Sequence, residues 1–417
     1  MRKNYKHKFL LLICLLGIII RVVYILAFAT YIKPPDWEYG DIAHNLNAGH
    51  GYSRIGFPSD TLELTSSHAP FYPHVLAFFY SLLDKPWSYL SIQILQTIIS
   101  VMIIAVVFRT TRMLFDKNAA YVAALGAAIY PPLVYYSASI TPTVFTLFFL
   151  SLTVMIILEN QRQSWTRSFF LGLSYGCALL SDPIMFALIP AVGFWFITSK
   201  KRITRFVMSA LVLAILVVLP WTLRNHRVHN ALVPVTTQFG VNFWIGNNPL
   251  ATGTDYYRVI DASSEQFTLM TETLPRAAKQ EMRQMNEIQR TRYYAHLALE
   301  YIVKKPFATL WLLVKKTFYY WWFSPSSING SLLAMQYRWL YVLFYIPLLL
   351  FAFLGFVIFK LEHQPASLNL ILALLVMISS MYIFTHVGLG RYRIPVELYL
   401  LIIASSAKNR LFKMIHT

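Results

Sequence analysis

Apolar runs of roughly 17 to 25 residues, nearly free of charge, recur along the chain, and this repetition constrains the fold more than any single motif. An α-helix needs about that length to cross roughly 30 Å of hydrocarbon, where the backbone must satisfy its own polar groups. The runs lie near 9–30, 89–108, 119–137, 142–158, 168–181, 184–199, 206–222, 340–359, 368–385 and 394–407. They read as about ten transmembrane helices of an all-α polytopic membrane protein. Only 13% of the 417 residues are charged, against roughly 25% in a soluble domain, which excludes an ordinary soluble enzyme.

The net charge of +18 carries no basic stripe interleaved with aromatics, so no nucleic-acid partner is expected. The placement of Lys and Arg has a topological meaning instead. Arg2, Lys3, Lys6 and Lys8 precede the first run, and Arg21 interrupts it where a cleavable signal would carry small residues, so it reads as a retained anchor with a cytosolic N-terminus. Ten crossings put both termini in the cytosol. Six cytosolic pieces totalling 51 residues then hold 17 of the 36 Lys and Arg, the asymmetry of the positive-inside rule. An eleventh crossing at 306–323 would place Lys408, Arg410 and Lys413 outside. That segment, with Trp311, Lys315, Lys316 and the aromatic cluster Tyr319 to Trp322, reads as a helix in the outer interface, a buried re-entrant helix being the rival. Segment 69–85 reads as interfacial too.

The chain therefore divides into an N-terminal transmembrane module, 1–222, with an external loop at 31–88, an external cap at 223–339, and C-terminal transmembrane helices at 340–417. Chemistry is expected in the external parts. Cys14 and Cys177 lie inside spans, which leaves no disulfide framework, and there is no Walker or dinucleotide glycine loop to drive a pump.

The first loop places Asp36, Glu38 and Asp41 within six residues, directly after a membrane helix. Tyr39, Ile42 and Leu46 share one helical face, which predicts a short helix ended by Gly49. Asp36 reads either as its N-cap, contributing about 1 kcal/mol, or as a general base. His44, His50, His68 and His74 crowd the loop without the tight pairing of a metal site, so no metal and no cofactor are expected.

The stretch Asp36-x-Glu38-Tyr39-x-x-Ile42-Ala43-x-Asn45-Leu46-x-x-Gly49-x-Gly51-Tyr52-Ser53, followed by His68-Ala69-Pro70-Phe71-Tyr72-Pro73, resembles the first external loop of GT-C integral-membrane glycosyltransferases. Within them it is similar to the dolichyl-phosphate-mannose–protein mannosyltransferase family (family 39) and the aminoarabinose lipid A transferases. Four further motifs follow in order: Tyr130-Pro131-Pro132 to Ser137, Pro220-Trp221-Thr222-Leu223-Arg224-Asn225, Gly240 to Asn247-Asn248-Pro249, and Arg391-Tyr392-Arg393-Ile394-Pro395. The resemblance implies a GT-C bundle that moves a sugar from a polyprenyl-phosphate donor to a glycan, lipid or protein acceptor on the outer face, with inversion. It makes Asp36 the base, with Glu38 beside it, and places Tyr39, Asn247 and Asn248 against substrate. Two departures stand out: Thr141-Pro142-Thr143 where relatives place a Glu, and Ser181-Asp182-Pro183 where they have Arg-Pro. Asp182 reads as an N-cap before Pro183 or as a substituted polar contact.

A departing polyprenyl phosphate gathers negative charge, which forked guanidinium groups suit. Arg391 and Arg393, just before the last run, and Arg224, at the outer end of the seventh, fall at one depth, and His386 precedes them. These are the candidate phosphate ligands, with interfacial snorkelling as the alternative. The competing functions are a lipid-linked sugar transporter or flippase, and a non-catalytic polyprenyl-phosphate binder. A transporter should carry ionisable residues deep in several helices, whereas only Arg21 lies clearly within a run. The expected location is a bacterial inner membrane.

Overall fold

A computed structural model of the protein describes residues 5–56, 59–159, 164–199, 205–254, 256–261, 264–269, 274–323, 335–361, 367–385 and 390–416. The first membrane helix, α1 (Tyr5–Ala27), leads into an external segment of α2 (Trp37–Asn47), the hairpin β1 (Ser53–Ile55) and β2 (Leu62–Leu64), and α3 (Phe71–Leu82). There follow α4 (Trp87–Leu114), α5 (Lys117–Ile129), α6 (Pro131–Ala138), α7 (Thr143–Leu158) and α8 (Trp165–Ser181). A 3-10 turn, Pro183–Ala187, enters α9 (Leu188–Thr198), and α10 (Arg205–His229) closes the first bundle. The second external segment holds α11 (Phe239–Gly246), the antiparallel pair β3 (Tyr256–Asp261) and β4 (Ser264–Leu269), α12 (Arg276–Met282), α13 (Glu287–Lys304) and α14 (Pro306–Trp321). Finally come α15 (Met335–Leu361), α16 (Ser367–Phe384) and α17 (Ile394–His416).

All ten apolar runs are helical, and the protein is an integral membrane protein of predominantly helical fold. Among the described residues, five helices are long and apolar enough to span a bilayer, or six if α5 and α6, bent by 48°, form one span. Thr143–Leu158, Pro183–Thr198 and Ile394–Ala407 are apolar but shorter. At 1.5 Å per residue a 16-residue helix is about 24 Å long, less than the hydrocarbon core. Both hairpins are additions to the all-helical expectation.

The bend after α5 follows from the chain. Pro131 and Pro132 carry no N–H, so the carbonyls of Ala127 and Ala128 lose their donors four residues on. Arg21, fully buried in α1, supplies them: its Nη1 donates to Ala128 O (2.9 Å) and Gly17 O (3.1 Å), its Nη2 to Ala127 O (3.3 Å) and its Nε to Ser100 Oγ (2.8 Å). The deepest cation of the sequence is therefore a structural clamp between α1, α4 and α5. At the other end of α6 the same logic applies, since Pro142 cannot donate to Ala138 O. Gln93 Nε2 donates to Ala138 O (2.7 Å), and Gln96 Nε2 to Ser137 O (3.0 Å) and Ser139 O (2.8 Å), both from α4.

Gly172 and Gly176, four apart on α8, allow its backbone to lie directly on α10. A Cβ on Gly172 would sit 2.6 Å from Ala210 O, and one on Gly176 2.6 Å from the Val217 Cβ, the small-residue packing common between membrane helices. Helix α14 buries Leu312, Lys316 and Tyr320 and leaves Phe307, Leu310, Trp311, Val314 and Phe318 exposed, an outer face suited to lipid.

Replacing Arg21 with Leu should strand the Ala127 and Ala128 carbonyls and lower stability by about 2–4 kcal/mol. Thermal unfolding of the detergent-solubilised protein should show a markedly lower Tm, only partly restored by Arg21→Lys.

Candidate functional site

The first external loop is pinned to the bundle before it presents any chemistry. Arg224, on α10, donates to Thr65 O (2.6 Å) and Tyr52 O (2.9 Å) and lies over the Trp221 ring at 4.8 Å. Ser66 joins Asn225 Oδ1 (2.7 Å) and His229 Nε2 (2.8 Å), and its N–H donates to Glu287 on α13 (3.0 Å). Both external segments are thereby held to the end of α10.

On this frame α2 begins unusually. Trp37 adopts a left-handed backbone, φ +52°, and Asp36 occupies the N-cap position without a side-chain capping bond. The N-cap reading of the Asp36 carboxylate is thus corrected: the left-handed residue turns it away from the helix N–H groups. Its Oδ2 accepts from Tyr80 on α3 (2.9 Å) and Tyr89 on α4 (3.0 Å), with His44 Nε2 3.8 Å away. Its Oδ1 accepts no hydrogen bond among the described residues, and the side chain keeps 23% of its exposure. Burial, with the neighbouring Asp36, holds the Tyr80 phenol well above its usual range, so it remains a donor. The helix ends as the sequence predicts, with Gly49 at φ +81°.

Three residues along α2, Tyr39 enters a cavity of about 510 Å³. Its polar lining includes Arg391, Asp182, Tyr39, His68, Ser67, Tyr392, Gln238 and Asn242, and most of the rest is apolar: Phe186 and Pro190 from the entry to α9, Met377, Met381 and Phe384 from α16, and Phe239 from α11. Arg391 lies 6.0 Å from the Tyr39 ring centroid and 5.3 Å from that of Tyr392, within electrostatic reach of both phenols. Asp182 caps the turn into α9 through Ile184 N (3.0 Å), as one of its sequence readings has it, and it lines the cavity within electrostatic reach of Arg391. Burial raises its pKa, against the Ile184 N–H and Arg391.

Glu38 lies beside His68, Arg54 and Arg391. Burial opposes its charge, but these neighbours and its own N–H hold its pKa below the usual range. His68 packs edge-on to Tyr39 at 4.9 Å and meets Ser67 Oγ through Nδ1 (3.0 Å), and burial pushes it down to about 4. Asp36 is not part of the cavity lining. Tyr72, packed on Tyr39 at 5.7 Å, is in electrostatic reach of both Tyr39 and Asp36 and links the two clusters.

Other candidates lie elsewhere. Arg393 is buried and donates to Glu397, Tyr320 O (2.9 Å), Trp322 O (2.9 Å) and the Tyr341 hydroxyl (2.7 Å), with the Tyr345 ring at 4.0 Å. Like Arg224, it serves the fold in this arrangement. Asn247 donates to Phe243 O and Phe384 O and accepts from the buried Lys316, whose pKa burial lowers to about 8. Asn248 bonds Trp244 O and Leu250 N. These asparagines join α11 to α14 and α16 and do not line the cavity. His386 lies outside the described residues. Among the described residues no group of three or more His, Cys, Asp or Glu could hold a metal ion. Sequence reasoning passed over Tyr80, Tyr89 and Arg54, which carry no motif of their own.

Because His68 is neutral in the folded protein down to about pH 4, the unfolded chain binds the extra proton between about pH 6.5 and 4, and stability falls as pH drops through that window. The Glu38 carboxylate, held below its usual range, adds a loss of the same sign that sets in at the acid end of this window. Thermal unfolding against pH should show a slope shallower in His68→Gln, by at most about 1.4 kcal/mol per pH unit.

A model of the dolichyl-phosphate-mannose-protein mannosyltransferase family matches residues 67–223. Among curated proteins no sequence matches. Of solved structures, the Archaeoglobus fulgidus oligosaccharyltransferase tethered to an acceptor peptide gives a TM-score of 0.59 at 12% identity, over 99% of this chain and 50% of that one. The same organism's AglB with an inhibitory peptide and a dolichol-phosphate gives 0.58 at 12%, over 100% and 51%. ArnT from Cupriavidus metallidurans in the apo state gives 0.51 at 13%, over 93% and 59%. The chain spans about half the length of the oligosaccharyltransferase it matches. The chain shares its fold with these structures, and its residues 67–223 resemble the dolichyl-phosphate-mannose-protein mannosyltransferase family.

Proposed function

We propose that the protein is a membrane glycosyltransferase that takes a sugar from a polyprenyl-phosphate donor and passes it, with inversion, to an acceptor hydroxyl on the outer face of a bacterial inner membrane. The observation that carries this reading is the cavity, which brings the Arg391 guanidinium together with apolar side chains of α9 and α16 in one lining. A phosphate monoester on a prenyl chain has the same two halves. The Arg391 fork can take two phosphate oxygens and stabilise the charge that gathers as the phosphate leaves. The dolichol-phosphate in the AglB complex supports such a donor for the shared fold.

In the step itself the acceptor oxygen bonds to the anomeric carbon, the bond from that carbon to the phosphate oxygen breaks, and the phosphate departs with the electron pair. The acceptor proton goes to Asp36. Its Oδ2 is held by two phenols while Oδ1 stays open, which suits a general base. Glu38, ionised beside Arg54 and Arg391, balances their charge before the donor arrives. Its place next to Arg391 also favours a second reading, in which Glu38 takes the proton.

Membranes fed radiolabelled monosaccharide, so that the label enters polyprenyl-phosphate sugars, allow transfer into envelope glycan, lipid and protein to be followed. Asp36→Asn should cut turnover by about 10²–10⁴-fold with undecaprenyl phosphate still bound, whereas Arg391→Ala should weaken that binding. Full turnover in Asp36→Asn would sink the base assignment, and loss confined to Glu38→Gln would move the role to Glu38. Absence of transfer by the wild type would favour a transporter or a non-catalytic binder.

A further inference from the structure

Gly40 lies one helical turn beyond Asp36, its N–H donating to Asp36 O (2.9 Å). Its φ is not left-handed, so no backbone requirement calls for glycine, and alanine would be the better helix former there. Its missing side chain has another consequence. A Cβ built on Gly40 would overlap Cγ and Oδ2 of Asp36 and lie 2.7 Å from its Cβ. The Asp36 carboxylate therefore fills the space that any other residue at position 40 would occupy.

We infer that Gly40 is a positioning residue for the proposed base: together with Tyr80 and Tyr89 it forms a mould that seats the Asp36 carboxylate over the first turn of α2 with Oδ1 turned outward. The left-handed Trp37 brings the side chain back over the turn, and the vacancy at Gly40 receives it. The phenols of Tyr80 and Tyr89 then both hold Oδ2. With a side chain at position 40 the carboxylate must leave these phenols. Displaced from them, it would no longer be aimed at an acceptor.

This inference rests on Asp36 being the base, and the experiment separates the two. With the same labelled membranes, Gly40→Ala should lower kcat by at least 30-fold, leave the donor KM within about twofold and leave Tm equal to or above wild type. A merely structural glycine would give a lower Tm along with lower activity, or a raised Tm with normal activity, and either result overturns the mould. Should Gly40→Ala not accumulate in membranes, the double variant Tyr80→Phe/Tyr89→Phe reads the same device, and an unchanged kcat there refutes it. If Asp36→Asn is inactive while Gly40→Ala turns over normally, the inference fails alone. If Asp36→Asn is active, the base assignment fails and the inference with it.

Discussion

Burial of the Arg393–Glu397 pair determines where Arg391 can point. Glu397, without exposure at the start of α17, accepts from Arg393, from Tyr341 and, through its second oxygen, from Tyr130 (2.8 Å). The remaining Arg393 donors close on the carbonyls of Tyr320 and Trp322 at the end of α14. Two buried charges are costly unless nearly every polar atom is paired, and here one pair ties together the α5–α6 junction, α14, α15 and α17. The 3-10 turn Gly390–Tyr392 is anchored by that pair, so Arg391, two residues earlier, faces the cavity. The two arginines of one short motif thus have opposite fates.

The same accounting of polar groups runs through the bundle. Where Pro131, Pro132 and Pro142 deprive carbonyls of donors, Arg21 and Gln93 replace them. In hydrocarbon no water can do so, which turns residues that resemble functional polar groups into parts of the frame. At the end of α10 Arg224 has a comparable role for the carbonyls of Tyr52 and Thr65. Holding the first loop this firmly places α2, and with it Asp36, Glu38 and Tyr39, between α3, α4 and the cavity.

The sequence states the helices well because apolar length is a one-dimensional property. Every expected run is helical, Gly49 ends α2, and the segments 71–82 and 306–321 are helices. Asp182 could be read as a cap or as a polar contact, and the cap is present while the side chain also lines the cavity. What the chain alone does not reveal is which polar residues are spent on the backbone. Arg224, Arg393, Asn247 and Asn248 sit in motifs as suggestive as that of Arg391, and only their three-dimensional partners separate them. The Asp36 cap was the natural reading of an acid before a helix; the left-handed Trp37 and the missing side chain at Gly40, which redirect it, become visible only once the backbone is known. Tyr80 and Tyr89 converge on one carboxylate oxygen from two different helices, a relation that no spacing encodes.

The most direct test of the account is a structure of the protein in lipid nanodiscs with undecaprenyl phosphate bound. The account places the phosphate on the Arg391 guanidinium, with the prenyl chain along Met377, Met381 and Phe186 and with Arg393 still paired to Glu397. A phosphate held by Arg224 or Arg393, or a lipid bound away from this cavity, would contradict it.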